Sequence, residues 1–315
     1  MSDTALARSP RPTPLFVFGV ARSGTSYFHH LLAAHPQVRL SYEARLVKEG
    51  EYFYRRVRDP LDRGQFFELL ERMADCETAE PQNRWLVESI RRHSEELYVE
   101  HSRAPSFAAL MEAVYMKPVP VACWGNKMLR VEMCPDMLRF WPDAKVVILV
   151  RDPRAVYASQ ARLFNTRIKY SAIYWNTHSR WTRTRALDSN RYVVIKYEDF
   201  VEHPRQWLER VFEMVGLSDR AATDPILEAR PPRTDSLAKW RALLDAEQAL
   251  TIERLCFDEM THWGYKPERA ASGVRTGRIA EAVETVRQYA SEVPFDIAWW
   301  RRKQVVKRLL RTLKR

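Results

Sequence analysis

A chain of 315 residues, nearly half apolar and 29% charged, can bury a full core, and its nine glycines and eighteen prolines exclude a low-complexity or collagen-like polymer. The formal charge of +11 would ordinarily raise nucleic acid as a partner. Eight of the Lys and Arg residues fall in 301–315 with no acid among them, so the excess belongs to the tail and a nucleic-acid partner is not expected.

The polar, proline-rich stretch 1–14 is expected to be disordered and shows no leader-like apolar run. No window approaches the ~20 apolar residues of a membrane span, so a cytoplasmic protein is expected. Leu15–Val20 then reads as a buried strand. Thr25–Ala34 comes next as a helix, with Tyr27, Phe28, Leu31 and Leu32 at helical spacing and His35-Pro36 as the stop. From about 51 to 117 the pattern is helical, polar and arginine-rich. This is an insertion, serving either as a lid or acceptor-side wall or as a plain helical layer. Val119–Trp124 is a weaker strand. Val146–Val150, four β-branched residues and a leucine, is the strongest one, and Asp152 caps a helix whose first residue is Pro153. The segment Phe164–Arg185 reads as loops whose Trp175, Trp181 and arginines either line a cleft or belong to core and surface. Arg191–Tyr197 is a further buried strand, succeeded by a helix from about Pro204 to Val215 that Gly216 ends. Leu237–Tyr265 is helical again. Strands alternating with helices imply an α/β fold with a central parallel sheet, helices on both faces and helices at the C-terminus. Cys76, Cys123, Cys134 and Cys256 have neither CxxC nor metal-ligand spacing and read as reduced thiols.

The strand–helix junction Gly19-Val-Ala-Arg22-Ser23-Gly24-Thr25-Ser26 has the GxxxxG spacing of a phosphate loop, in which backbone N–H groups and a helix N-terminus face an anion. A Walker loop would carry Lys directly after the second glycine and a Ser/Thr for Mg²⁺. Here that lysine position is Thr25 and the nearby base is Arg22, so the loop suits an anionic group held without a metal. A P-loop kinase for a small metabolite is the alternative enzyme. A basic membrane-associated binding module is the alternative outside catalysis.

FVFGVARSGTSYFHHLLAAHP resembles the 5′-phosphosulfate-binding segment of sulfotransferases that use 3′-phosphoadenosine-5′-phosphosulfate (PAPS), and VVILVRDPRAVYAS resembles their 3′-phosphate-binding segment. VIKYEDFVEHPRQWLERVFEMVGL, SLAKW and HWGY are similar to the later segments of that family. The likeness covers residues 15 to about 266, and one P-loop-like three-layer α/β/α domain is expected over 15–268. It is closer to the bacterial and tyrosylprotein-type branch, with Arg ahead of SGT and an EARL stretch after the loop.

The resemblance implies PAPS as donor, 3′-phosphoadenosine 5′-phosphate (PAP) as product, and no metal. It places Arg22 on the 5′-phosphosulfate with Ser23, Gly24, Thr25 and Ser26 as amide and hydroxyl donors, Arg151 and Ser159 on the 3′-phosphate, and Tyr197 and Lys239 at positions that often touch the nucleotide.

Sulfonate transfer is an in-line displacement that needs a base for the acceptor hydroxyl and cations for the departing oxygen. Glu43, where tyrosylprotein-type enzymes carry their base, is the candidate base; otherwise it is a surface carboxylate paired with Arg45. Lys127, acting with Arg22, is the candidate for the departing oxygen; otherwise it is a solvated strand-end lysine. His29, His30 and His35 read as structural.

Residues 269–315 are expected to form a helical extension. From 299 on, Val305, Val306, Leu309, Leu310 and Leu313 make an apolar stripe on a basic helix. Such a helix either lies on an anionic membrane surface, docks on its own domain, or is solvated. Membrane contact would favour a carbohydrate or glycolipid as the hydroxyl acceptor.

Overall fold

The computed structural model describes residues 11–77, 80–117, 119–185, 190–218, 222–232, 234–274, 277 and 283. The expected disorder in 1–10 and the basic stripe from 299 on lie outside these residues. The chain divides into two compact units, and one of the points where it passes between them lies in the Gly19–Ser26 loop, between Ser23 and Gly24.

The first unit holds Gly24–Leu149, Arg185–Pro232 and the chain up to Gly19. It contains an all-parallel five-stranded sheet in the order β2-β3-β1-β4-β5. The strands are β1 (Thr13–Gly19), β2 (Val38–Tyr42), β3 (Cys123–Met128), β4 (Lys145–Val150) and β5 (Tyr192–Lys196). Helices α1 (Thr25–Leu32), α2 (Leu46–Tyr54), α3 (Arg63–Asp75), α4 (Arg84–Arg92), α5 (Ser94–Arg103), α6 (Phe107–Met116) and α7 (Cys134–Phe140) lie between the strands, and α10 (Tyr197–Glu202), α11 (Pro204–Met214) and α12 (Thr223–Ala229) come after β5. The second unit holds Val20–Ser23, Val150–Thr184 and the chain from Arg233. It contains α8 (Pro153–Phe164), most of α9 (Ile168–Arg185), α13 (Trp240–Leu243) and α14 (Ala246–His262).

β1 is paired on both sides, by β3 and by β4. A strand so placed must be apolar on both faces, and Leu15, Phe16, Val17 and Phe18 are all fully buried, as are Val146–Leu149 of β4. The chain runs from β1 to β2 and β3 on one side and to β4 and β5 on the other. The carboxyl end of β1 is therefore the point where strand order reverses, the place at which open parallel sheets bind ligands. The Gly19–Ser26 loop leaves from that end.

Three sequence expectations shift. β1 begins at Thr13, inside the stretch expected to be disordered. The weak strand expected over 119–124 lies at Cys123–Met128 instead. Gly125, Asn126 and Lys127 are poor strand formers, yet pairing with both neighbours forces them into the ladder. Gly125 is there because the β1 backbone passes so close that a Cβ would meet Leu15 O at 1.8 Å. The segment expected as loops after Phe164 is mostly the helix α9, and Trp175 is buried within it, its Nε1–H donating to Arg151 O at 2.8 Å.

The helical stretch between β2 and β3 starts at Leu46 rather than 51. It has an apolar interior of its own: Phe66, Leu69, Leu70 and Met73 from α3, Leu86 and Ile90 from α4, and Met111 and Val114 from α6 are buried. Asp62 and Ser106 cap α3 and α6 through the N–H groups of Gln65 and Ala109, as N-caps do. It is a packed layer. All four cysteines are unpaired thiols.

Gly125→Ala is expected to lower the unfolding free energy by about 3 kcal/mol, because backbone rather than a flexible side chain must move. Urea titration of the variant checks this; an unchanged midpoint would contradict the close approach.

Candidate active site

Five of the candidate residues stand at or just beyond the carboxyl end of a strand: Arg22 beyond β1, Glu43 directly after β2, Lys127 in the last rungs of β3, Arg151 directly after β4 and Tyr197 directly after β5. They form two groups, one in each unit.

In the first unit, Glu43 and Lys127 form an ion pair between Glu43 Oε1 and Lys127 Nζ. Lys127 is buried to 1% exposure while Glu43 keeps 36%. The bland alternatives thus fail: Glu43 pairs with Lys127, not Arg45, and Lys127 is not solvated. The ammonium also lies 4.1 Å from the centroid of the Tyr42 ring, a cation–π contact that helps offset its lost hydration. The Tyr42 hydroxyl shares a hydrogen bond with Ser26 Oγ at 2.7 Å, tying the first turn of α1 to the end of β2.

Glu43 itself has φ 50° and its N–H donates to Lys127 O at 2.8 Å. Three non-glycine residues among those described have positive φ: Arg22, Glu43 and Asn165. Asn165 is an α8 C-cap, a position where asparagine tolerates this conformation. Arg22 and Glu43 are not helix caps of this kind, and a non-glycine residue held in this region stores backbone strain of about 1–3 kcal/mol.

In the second unit, Arg22 Nε donates to Ser159 Oγ at 2.9 Å, and Arg151 Nη1 donates to Arg22 O at 3.1 Å. Gln160 Nε2 donates to Ala21 O at 2.9 Å, and Ser23 gives both its N–H and its hydroxyl to Val20 O. Three successive carbonyls of the loop are thus drawn inward. Ser23 braces the loop from within. The amides that a helix leaves unbonded at its start are those just after Gly24, the N-cap of α1 at φ 93°, as at any helix N-terminus.

Gly24 is required twice over, by its left-handed φ and by Tyr197, whose ring would lie 2.1 Å from an added Cβ. Tyr197, expected at the nucleotide, is buried against the loop glycine. Lys239, also expected at the nucleotide, engages Asp235 on an exposed turn. Thr25 is buried at the start of α1.

Sequence reading missed several supports. Tyr42, Asn83, Asn126 and Gln160 reach the site only through long-range contacts, and Trp175 was read without its bond to Arg151 O. The signal available was weak: Asn126 adjoins Lys127, and Gln160 adjoins Ser159.

The histidines are structural in placement. His29 is buried, its Nε2 within 3.1 Å of Leu40 O, and burial pushes its pKa down to about 4. His30 meets Gln82, and His35 accepts from the N–H of Gln37.

The chain's residues 14–221 match the model of the Sulfotransferase family, well over half its length. The chain belongs to the sulfotransferase family. A protein-tyrosine sulfotransferase of Drosophila melanogaster is 24% identical over 221 residues, covering 65% of this chain and 38% of the fly protein. Protein-tyrosine sulfotransferase 1 of Danio rerio is 22% identical over 277 residues, covering 76% of this chain and 69% of the fish protein. The chain therefore spans well under half the length of the fly relative. Among solved structures, the sulfotransferase domain of the Synechococcus PCC 7002 olefin synthase shares the fold with a TM-score of 0.54 at 19% identity, over 82% of this chain and 97% of that one.

One buried carboxyl near this site titrates unusually. Glu77 is 2% exposed, and burial pushes its pKa from 4.5 up to about 7, against the pull of hydrogen bonds from Asn83 and from the backbone of Leu46 and Arg45. The folded chain thus holds this proton more tightly than the unfolded chain. Its contribution to stability is fully present below about pH 4.5 and is lost as the pH rises through about 7. Between about pH 5 and pH 8 the unfolding free energy of the wild type should fall by on the order of 2–3 kcal/mol relative to Glu77→Gln. Denaturant unfolding at several pH values measures this, and a constant difference would contradict it.

Proposed function

We propose that this chain transfers a sulfonate group from PAPS to a hydroxyl acceptor, with Glu43 as general base and Lys127 and Arg22 as the cations that stabilise the departing oxygen. The observation that carries this reading is the Glu43–Lys127 ion pair at a strand end, in a chain of the sulfotransferase family. The donor supplies an activated sulfur whose bond to the bridging phosphate oxygen breaks as the acceptor oxygen bonds to it.

The residues divide the remaining work. Glu43, partly open to solvent and the more exposed member of its pair, takes the proton of the acceptor hydroxyl at its carboxylate. Lys127, held away from water, and Arg22 offer positive charge to the oxygen that gains an electron pair. The α1 N-terminus and the loop amides suit the 5′-phosphosulfate. Arg151, with Ser159, suits the 3′-phosphate. Ser159 accepts from Arg22, which supports reading the residues assigned to the 5′ and 3′ groups as one donor site. A kinase for a small metabolite would need the Walker lysine, and Thr25 stands in its place.

For the acceptor, the two relatives named protein-tyrosine sulfotransferases support a tyrosyl hydroxyl as the first class to test. The carbohydrate or glycolipid expectation drew on the basic stripe of 299–315 lying on a membrane, with the protein otherwise cytoplasmic. Co-sedimentation of full-length and 300-truncated chains with anionic vesicles tests that contact.

With radiolabelled PAPS, wild-type chain should label a tyrosyl-peptide pool in preference to sugar and lipid pools. Glu43→Gln should lower kcat by about 10²- to 10⁴-fold while PAP affinity, measured by calorimetry, stays within about twofold. Turnover that survives in Glu43→Gln would remove Glu43 as the base. Arg151→Ala should weaken PAP binding by roughly tenfold or more, the loss of a charge-assisted contact, and an unchanged affinity would remove Arg151 from the donor site.

A further inference from the structure

Glu43 lies in a backbone conformation that few glutamates adopt, and the peptide groups on both sides of it are held by side-chain amides. On the preceding side, Asn83 reads Tyr42 completely. Its Oδ1 accepts from Tyr42 N–H at 2.9 Å, and its Nδ2 donates to Tyr42 O at 3.0 Å and to Glu77 Oε2 at 2.8 Å. On the other side, Asn126 reads Ala44 in the same way. Its Oδ1 accepts from Ala44 N–H at 3.1 Å and from Ser41 Oγ–H at 2.9 Å, and its Nδ2 donates to Ala44 O at 3.0 Å. Both asparagines are fully buried.

Each amide's orientation is fixed by this pairing, since a flipped amide would set donor against donor. Sheet geometry explains the need. β2 is an edge strand, so the N–H and C=O of Tyr42 that point away from β3 have no neighbouring strand. Asn83, from the turn before α4, serves as a one-residue neighbour. Asn126 stands in β3 one residue before Lys127, so the same strand carries the ammonium that meets Glu43 and the amide that fixes the peptide after it.

We propose that Asn83 and Asn126 are positioning residues for sulfonate transfer: together they hold the 42–44 backbone so that the Glu43 carboxylate stays on Lys127 and faces the acceptor hydroxyl. The proposal rests on Glu43 being the base. It also gives the helical layer between β2 and β3 a specific duty, since Asn83 and the Glu77 that orients it both belong to that layer.

The test uses full-length Asn83→Ala, Asn126→Ala and the milder Asn83→Gln and Asn126→Gln, which retain the amide but displace it. A misplaced base costs roughly 10- to 100-fold in kcat, while PAP affinity and the KM for PAPS should hold within about twofold of wild type. In the Glu43→Gln background the same substitutions should lower kcat no further, because they act through Glu43. Amide exchange at Glu43 and Ala44, monitored without any substrate, should speed up at least about tenfold in each variant that folds.

Unchanged kcat together with unchanged exchange would overturn the proposal. So would losses of kcat, PAP affinity and melting temperature in equal measure with and without Glu43, which describe a general packing role. If the alanine variants do not fold, the glutamine pair decides by the same criteria. A wild-type chain that neither binds PAP nor labels any acceptor defeats the sulfotransferase reading itself, and the exchange rates then judge the clamp separately.

Discussion

Lys127 is a buried ammonium at the end of an interior strand, and a charge so placed is stable only with a partner and further contacts. Its partner is Glu43, and the Tyr42 ring covers the ammonium. Meeting that demand fixes much of what surrounds it. Glu43 must leave β2 in a left-handed turn, the turn must be held from both sides, and β3 must run deep enough for Lys127 to be a ladder residue. Removing either charge would leave the other uncompensated, so the pair behaves as a unit and single substitutions will overstate each member's separate share.

The Gly19–Ser26 loop meets a different demand with the same means. A loop that presents its N–H groups to an anion must dispose of its carbonyls, which would otherwise repel it. Val20, Ala21 and Arg22 turn theirs toward Ser23, Gln160 and Arg151 respectively. Through that bond Arg151 also holds Arg22 in its unusual backbone conformation. Behind it, Asp152 caps α8 and binds Arg154, whose guanidinium also meets the buried Glu253. Glu253 in turn accepts from the backbone N–H groups of Glu268, Arg269 and Ala270. The start of α8 is therefore anchored to the segment after α14 through charges that are all satisfied.

Elements with strong local signals were readable from the sequence. β1 and β4 are continuous apolar runs, the Asp152-Pro153 helix start is a local chemical pattern, and Gly24 marks a turn that only its backbone freedom permits. What escaped was set by contacts distant in the chain. β2 is five residues at a sheet edge, too short and too polar at Ser41 to stand out. β3 was placed early because Val119–Val121 looks more strand-like than Gly125–Lys127. Tyr197 was expected at the nucleotide, and its sequence context does not disclose the ring lying against Gly24. The roles of Asn83 and Asn126 depend on meeting backbone about 40 and 80 residues away, and no local pattern records that.

The layer between β2 and β3 shows how constraint and freedom are distributed around such a site. Its outward pairs, Arg63 with Glu95, Arg72 with Glu68, and Arg91 with Glu71 and Asp75, are all well exposed, and pairs of this kind contribute about 0–1 kcal/mol each. Those positions can change at little cost to the fold. Asn83 and Glu77 are buried and committed to one another, and through Tyr42 to the turn that carries Glu43. An outer surface free to vary over an inner contact that is not allows the surroundings of Glu43 to be remodelled while Glu43 itself keeps its place.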